Sequence, residues 1–152
     1  LAEAFFPGAF PWIRKFAHVQ AIRFAFVVAL IAMIGSLTYS DIIGYEPCKL
    51  CWFQRIFMYP LVFLLGLALI KKEKLIIDYA LMLSTIGGVI AGYHYLLQIG
   101  VVPSLPCSAV GYSVSCSQQF VLQFGFISIP FMALSAFVLI TAALFMARSK
   151  RL

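Results

Sequence analysis

The four cysteines of the chain are the residues whose type and spacing most clearly suggest chemistry. Cys48 and Cys51 form a C-x-x-C motif, and Pro47 before them suits the start of a helix. The exposed N–H groups of a first helical turn lower the pKa of a thiol, so this pair is expected to be reactive. A structural disulfide or half of a zinc site are the alternatives for the motif taken alone.

The second pair, Cys107 and Cys116, is separated by eight residues in a loop with several Pro and Gly. Exposed disulfides in such loops exchange readily, although a plain loop staple is the alternative. Two pairs on one face favour a relay, in which one pair receives electrons and the other passes them on. A four-cysteine zinc site is less favoured, because such sites usually have about two to four residues between paired ligands.

Three polar residues accompany the C-x-x-C motif, one at the boundary of an apolar run and two within another. Arg55 lies four residues after Cys51 on the same helix face, where a cation can stabilise a thiolate; a snorkelling arginine is the alternative. His94 is the only histidine within an apolar run, and intramembrane ionisable groups tend to be functional, although a packing histidine is the alternative. Gln98 lies one turn further along, as a second polar contact or as a helix-end cap. No metal ligand is assigned.

The electron acceptor has to reach the site by diffusion. Trp52 follows Cys51, so the sequence has no C-x-x-C-H haem attachment, and it has no G-x-G-x-x-G dinucleotide turn. A C-x-x-C motif at the edge of a membrane is accessible to a lipid-soluble quinone. The sequence therefore predicts a quinone between the outer ends of the second and third helices, near Cys51, Arg55 and His94.

The elements that position these residues are membrane helices. Hydrophobic residues make up 64% of the chain and charged residues 11%, against about 25% charged in soluble domains. Apolar runs cover residues 24–40, 56–70, 75–100 and 124–147. A spanning helix needs roughly 20 residues, so the second must begin earlier, near Cys51. We predict an all-α integral membrane protein: a four-transmembrane-helix bundle (residues 22–152) after an N-terminal interfacial segment (residues 1–21).

The basic residues predict the orientation of the bundle. The formal net charge of +6 could suggest a nucleic-acid partner, but the charges cluster at the ends of the apolar runs, so none is expected. Four spans put nine basic residues on one side and leave Lys49 and Arg55 on the other. The nine are Arg14, Lys15, Arg23, Lys71, Lys72, Lys74, Arg148, Lys150 and Arg151. Both termini are therefore predicted to be cytoplasmic and both cysteine loops extracytoplasmic, with no cleavable signal peptide.

Several motifs together resemble one known family. They are the segment 47–55 (PCKLCWFQR), the segment 94–98 (HYLLQ), the Cys107/Cys116 loop, and the segment 125–130 (GFISIP) before the last helix. These residues are similar to the DsbB family of bacterial plasma-membrane proteins, and the short second loop is most similar to its BdbC branch. The resemblance extends from about Ile22 to Ala147.

The resemblance implies a quinone-dependent thiol oxidase, a protein-disulfide oxidoreductase. An extracytoplasmic thioredoxin-fold thiol oxidase, similar to DsbA or BdbD, would attack Cys107. Cys116 would then attack Cys48 and release Cys51 as a thiolate beside ubiquinone or menaquinone, with Arg55 supporting the pair.

His94 and Gln98 complete the predicted quinone site. A thiol-ligated metal-binding membrane protein, a structural membrane subunit and a quinone reductase resembling vitamin K epoxide reductase remain the alternatives.

Overall fold

Four long helices make up the part of the chain that the computed structural model describes, which is residues 11–44, 46–71, 74–102 and 128–149. They are α1 (Pro11–Leu37), which continues into a π-helical turn (Thr38–Ile42), α2 (Lys49–Lys71), α3 (Lys74–Gln98) and α4 (Ile129–Ser149). Each contains a span long and apolar enough to cross a membrane. The predicted four-transmembrane-helix architecture is confirmed.

The helices form an antiparallel bundle with one helix at each corner. α1 packs against α2 and α4, and α3 packs against the same two neighbours, while α2 and α4 touch only briefly across the diagonal. The end of α1, the start of α2, the end of α3 and the start of α4 therefore meet at one end of the bundle. That end carries the C-x-x-C motif, His94 and Gln98, and the opposite end carries Lys71 and Arg148.

Local signals set the helix ends beside the site. Cys48 occupies the N-cap of α2, where its carbonyl oxygen accepts the first helical bond, from the Trp52 N–H at 3.1 Å. α3 stops at Gly100, whose φ of 79° lies in the left-handed region that glycine tolerates. The N–H of Gly100 donates to the Leu97 carbonyl oxygen and the N–H of Val101 to that of Leu96, which is the Schellman pattern.

Helices α3 and α4 pack closely against each other. The fully buried ring of Phe137 fills the space above Gly87, where an added Cβ would overlap the ring. About one helical turn along the bundle's long axis, the Thr141 hydroxyl donates to Ser84 Oγ at 3.0 Å. Small residues let helix backbones approach closely in a membrane, so this face fixes the position of α4 against α3.

Some sequence predictions concern residues outside the described ranges. Cys107 and Cys116 are among them, as are the first ten residues and residues 124–127 of the predicted fourth helix. α1 begins at Pro11, and its candidate span begins at Val19. The division between an interfacial segment (residues 1–21) and the membrane domain (residues 22–152) stays a prediction.

Candidate redox site

The C-x-x-C motif places its two sulfurs at the N-terminus of α2. Cys48 is the N-cap residue, and Cys51 is the third residue of the helix. Both are reduced, and their sulfurs lie 3.2 Å apart, with the Cys48 thiol donating to Cys51 Sγ. Cys48 is 4% exposed, whereas Cys51 is half-buried. A short side-chain movement would bring the two sulfurs to bonding distance, so the pair is built to open and close a disulfide.

The two thiols are not equivalent. The hydrogen bond to Cys51 raises the pKa of Cys48, burial raises it further, and the contact with His94 lowers it in part, giving a pKa of about 12 against an ordinary 9.0. The sequence predicted a lowered thiol pKa at this helix start, and for Cys48 that prediction is wrong. The helix N-terminus does not offset these effects, because Cys48 holds its proton toward Cys51 in a buried position. Cys48 is therefore the proton-holding member of the pair.

His94 of α3 contacts Cys48 in the interior of the bundle. The imidazole is 1% exposed, and its Nε2 atom lies 3.7 Å from Cys48 Sγ. Its Nδ1 atom lies 3.0 Å from Nε2 of Gln54, a side chain that is also buried. With the Gln54 amide nitrogen facing the ring, Nδ1 accepts and the imidazole Nε2–H points at the sulfur. His94 thus joins α3 to the redox end of α2.

Gln54 is the site residue that the sequence analysis missed. Gln54 lies between Phe53 and Arg55, and Gln98 was the one uncharged amide that the sequence pattern singled out. The available signal was a polar residue at the i+3 position from Cys51, which places it on the same face of α2. A buried amide needs a hydrogen-bond partner, and the His94 imidazole on α3 provides one for Gln54.

Arg55 is held toward α1. Its guanidinium NH2 group donates to the Ser36 carbonyl oxygen at 3.1 Å, and its Cζ atom lies 5.5 Å from the centroid of the Trp52 ring. These two contacts fix a permanent positive charge about one helical turn below Cys51.

One cavity connects the predicted site residues that the structure describes. Its volume is about 580 Å³, and its lining is mostly apolar and comes from all four helices. Five predicted site residues line it together with Gln54: Cys48, Cys51, Arg55, His94 and Gln98. The Tyr59 hydroxyl, on the cavity wall, is buried and has no hydrogen-bond partner among the described residues. The cavity thus offers a hydroxyl, a cation and a thiol to a mostly apolar ligand.

A metal ion has three donors here. The sulfurs of Cys48 and Cys51 and a ring nitrogen of His94 lie within 4.8 Å of one another. Cys107 and Cys116 lie outside the described residues, so the alternative of a metal site with four thiolate ligands rests on the sequence alone.

Comparison with known proteins finds similarity along most of the chain. The family model "Disulfide bond formation protein DsbB" matches residues 19–147. "Disulfide bond formation protein C" of Bacillus subtilis (strain 168) is 48% identical over 120 residues, covering 76% of this chain and 83% of that protein. "Probable disulfide formation protein C 1" of Bacillus anthracis is 43% identical over 132 residues, covering 87% and 94%. "Probable disulfide formation protein" of Metapseudomonas resinovorans is 39% identical over 126 residues, covering 82% and 86%. No solved structure matches the chain significantly.

Proposed function

The chain belongs to the DsbB family of disulfide bond formation proteins, and from that membership we propose that it oxidises a thioredoxin-fold partner and passes the electrons to a membrane quinone. Family membership and the four spanning helices make it a multi-pass membrane protein-disulfide oxidoreductase. The observation that carries the finer proposal is that Cys51 and Arg55 line one largely apolar cavity within the bundle.

The cavity fits a quinone in size, polarity and access. A volume of about 580 Å³ falls within the range of about 300–1,000 Å³ common for small-molecule sites. The Tyr59 hydroxyl, which has no hydrogen-bond partner within the described ranges, can donate to a carbonyl oxygen of the ring. Two lining residues, Ile31 of α1 and Leu139 of α4, are also 65% and 47% exposed on the outer surface of the bundle. The cavity is therefore bordered by outward-facing side chains of α1 and α4, beside which the isoprenoid tail of a bound quinone would lie.

The residues of the chain have separate tasks around this ligand. A bound quinone supplies an acceptor for two electrons and two protons. Arg55 offers a charge that cannot be lost by deprotonation, and it favours a thiolate at Cys51 and negative charge on a nearby oxygen. Ser36 and Trp52 hold the guanidinium in place. His94 keeps a hydrogen bond on Cys48, and Gln54 fixes the imidazole ring.

The relay through the second pair rests on the family resemblance and on the sequence. A partner thiolate attacks the Cys107–Cys116 disulfide at Cys107 and frees Cys116. The Cys116 thiolate then attacks Cys48, the Cys48–Cys51 bond breaks, and Cys51 leaves as a thiolate at the cavity wall. For each turnover two partner thiols become one disulfide, and two electrons and two protons pass to the acceptor.

The orientation proposal places the redox end of the bundle outside the cytoplasm. It is supported by the basic residues Lys71 and Arg148, which lie at the opposite end. A membrane-impermeant thiol reagent added to intact cells in which the cysteines have been reduced should label both pairs. Labelling only after lysis would mean that the orientation is the opposite one, and it would not bear on the proposed redox chemistry.

Quinone reduction by a reduced thioredoxin-fold donor tests the function. The purified protein should reduce short-chain ubiquinone or menaquinone analogues only when such a donor is present. Arg55→Ala removes charge-assisted contacts of about 1.5–3 kcal/mol, so kcat/KM for quinone should fall about 10- to 150-fold. Arg23→Ala removes the same charge from an exposed position on α1 and is the matched control. His94→Ala should have a smaller effect than Arg55→Ala.

Single-turnover oxidation of the donor separates the two half-reactions. Arg55→Ala should exchange disulfides between the donor and the Cys107–Cys116 pair at the wild-type rate, because neither the Cys51 thiolate nor the quinone takes part in that first exchange. Wild-type quinone kinetics in Arg55→Ala would remove Arg55 from the site. No quinone reduction by the wild-type protein with any reduced donor would reject the proposed acceptor.

A further inference from the structure

Three soft metal ligands lie together at the cavity wall, and disulfide exchange does not use their capacity to bind a metal ion. Thiolate sulfur and imidazole nitrogen are the donors that zinc prefers in proteins. We propose that the reduced Cys48–Cys51 pair and His94 together bind a thiophilic divalent ion of the zinc class, and that the bound ion holds the pair in its reduced form. Disulfide chemistry needs the two sulfurs alone, and the imidazole turns the pair into a chelating site.

The spacing of the three donors suits a tetrahedral ion. Zn–S bonds of about 2.3 Å and Zn–N bonds of about 2.0–2.1 Å require S···S near 3.8 Å and S···N near 3.6 Å. The observed separations are 3.2 Å between the two sulfurs and 3.7 Å between Cys48 Sγ and His94 Nε2. The sulfurs must separate by about half an ångström to reach the tetrahedral value, which a small side-chain rotation achieves. The half-buried Cys51 has room for that rotation on the cavity side.

Gln54 supplies the support that a metal-binding imidazole needs. A ligating histidine usually donates its second ring N–H to an oxygen, which fixes the ring and strengthens the ligand. Gln54 lies 3.0 Å from His94 Nδ1 through its amide nitrogen. Rotation of the amide by half a turn presents its oxygen instead, so that Nδ1–H donates to Gln54 and the lone pair of Nε2 faces the sulfurs. The same pair of residues therefore serves both states of the site.

The fourth coordination position lies on the cavity side, where water or an added thiol completes the shell. Binding converts two thiols into thiolates and releases two protons, and no electrons move. The oxidised pair has no thiolate to offer, so the ion binds only the reduced form. Because disulfide formation needs both sulfurs, the bound ion blocks reoxidation. None of these steps involves a quinone, so the inference stands independently of the proposed function.

Cadmium titration of the purified protein in detergent tests the site. The protein carries Cys107→Ser and Cys116→Ser, so that the second pair contributes no thiolate, and a phosphine keeps Cys48 and Cys51 reduced. Ultraviolet thiolate-to-cadmium charge transfer should saturate at one ion per chain and be absent from the oxidised protein. Competition between zinc and a chelator then gives the affinity.

Variants around the imidazole distinguish this site from a simple dithiol. Gln54→Leu should lower the affinity for zinc about 10- to 100-fold, the usual effect of losing a residue that orients a metal ligand. His94→Ala should lower it at least as much. His18→Ala, at the chain's other histidine, is the matched control and should bind zinc like the parent protein.

Two outcomes would overturn the inference. One is the absence of thiolate-to-cadmium absorption in the reduced protein. The other is unchanged zinc affinity in both His94→Ala and Gln54→Leu, which would leave an ordinary dithiol. Circular dichroism and gel filtration confirm that each variant is folded, and if His94→Ala does not fold, Gln54→Leu decides the matter. An inactive quinone assay would leave these measurements unaffected.

Discussion

The two thiols of the C-x-x-C pair should differ sharply in reactivity when the protein is reduced. Cys48 has a pKa of about 12, chiefly because it donates a hydrogen bond to Cys51 and because it is buried. At pH 8 about one such thiol in ten thousand is a thiolate, against about one in ten for an ordinary thiol of pKa 9.0. The more basic thiolate is about 20-fold more nucleophilic, so Cys48 should react about 50-fold more slowly than an ordinary thiol.

Timed alkylation measures this difference directly. The reduced protein, with Cys107→Ser and Cys116→Ser, is treated with iodoacetamide, quenched at intervals and mapped by mass spectrometry. Cys51 should be modified first at pH 8. Modification of Cys48 should accelerate about tenfold for each pH unit and show no plateau below about pH 12, since its thiolate fraction rises through that whole range.

Substitutions on either side of Cys48 should move its rate in opposite directions. Cys51→Ala removes the largest cause of the raised pKa, so alkylation of Cys48 should become faster. His94→Ala removes the contact that lowers the pKa, so alkylation should become slower. The reasoning is refuted if Cys48 reacts as fast as Cys51 in the parent protein, or if Cys51→Ala leaves the Cys48 rate unchanged.

Two further predictions concern the bundle and the partner. Gly87→Ala places a methyl group against the buried ring of Phe137 and should lower the free energy of unfolding by about 1–3 kcal/mol. Gly88→Ala is the control, because its methyl group meets only an ordinary contact at 3.5 Å and should change stability very little. Unfolding in detergent, followed by circular dichroism, compares the two variants. Cys116→Ser should trap a covalent adduct with the thioredoxin-fold partner on non-reducing gels, and Cys107→Ser should not. The reverse pattern would exchange the roles of the two cysteines.

The fold was predictable because a bilayer permits few solutions. Each span must be roughly 20 residues of apolar helix, and that requirement alone moved the start of the second helix back from residue 56 to near Cys51, close to the observed Lys49. The amphipathic pattern is weak in such helices, however, because their outer faces are apolar as well. Which face of a helix turns inward therefore could not be predicted in the same way.

The relations between helices explain what the sequence did not predict. The contact of Gln54 with His94 depends on how α2 and α3 are rotated against each other, and residues 40 positions apart give no local signal of it. Arg55 was expected beside Cys51, but its bond to Ser36 could be known only once α1 was placed. The raised pKa of Cys48 has the same origin, since burial and the direction of a hydrogen bond are tertiary facts.

The difference between the two sulfurs also bears on which of them Cys116 attacks. Cys48 is the more buried sulfur, so access alone would favour attack on Cys51. The leaving group argues the other way, because a thiol of lower pKa leaves faster. Attack on Cys51 would expel Cys48 as a thiolate in a buried position, and burial is one of the causes that raise the pKa of Cys48. Attack on Cys48 expels Cys51 beside the charge of Arg55. Acid quenching during turnover, followed by mass spectrometry, should therefore find Cys48–Cys116 as the main interloop disulfide, and a predominance of Cys51–Cys116 would mean that access decides.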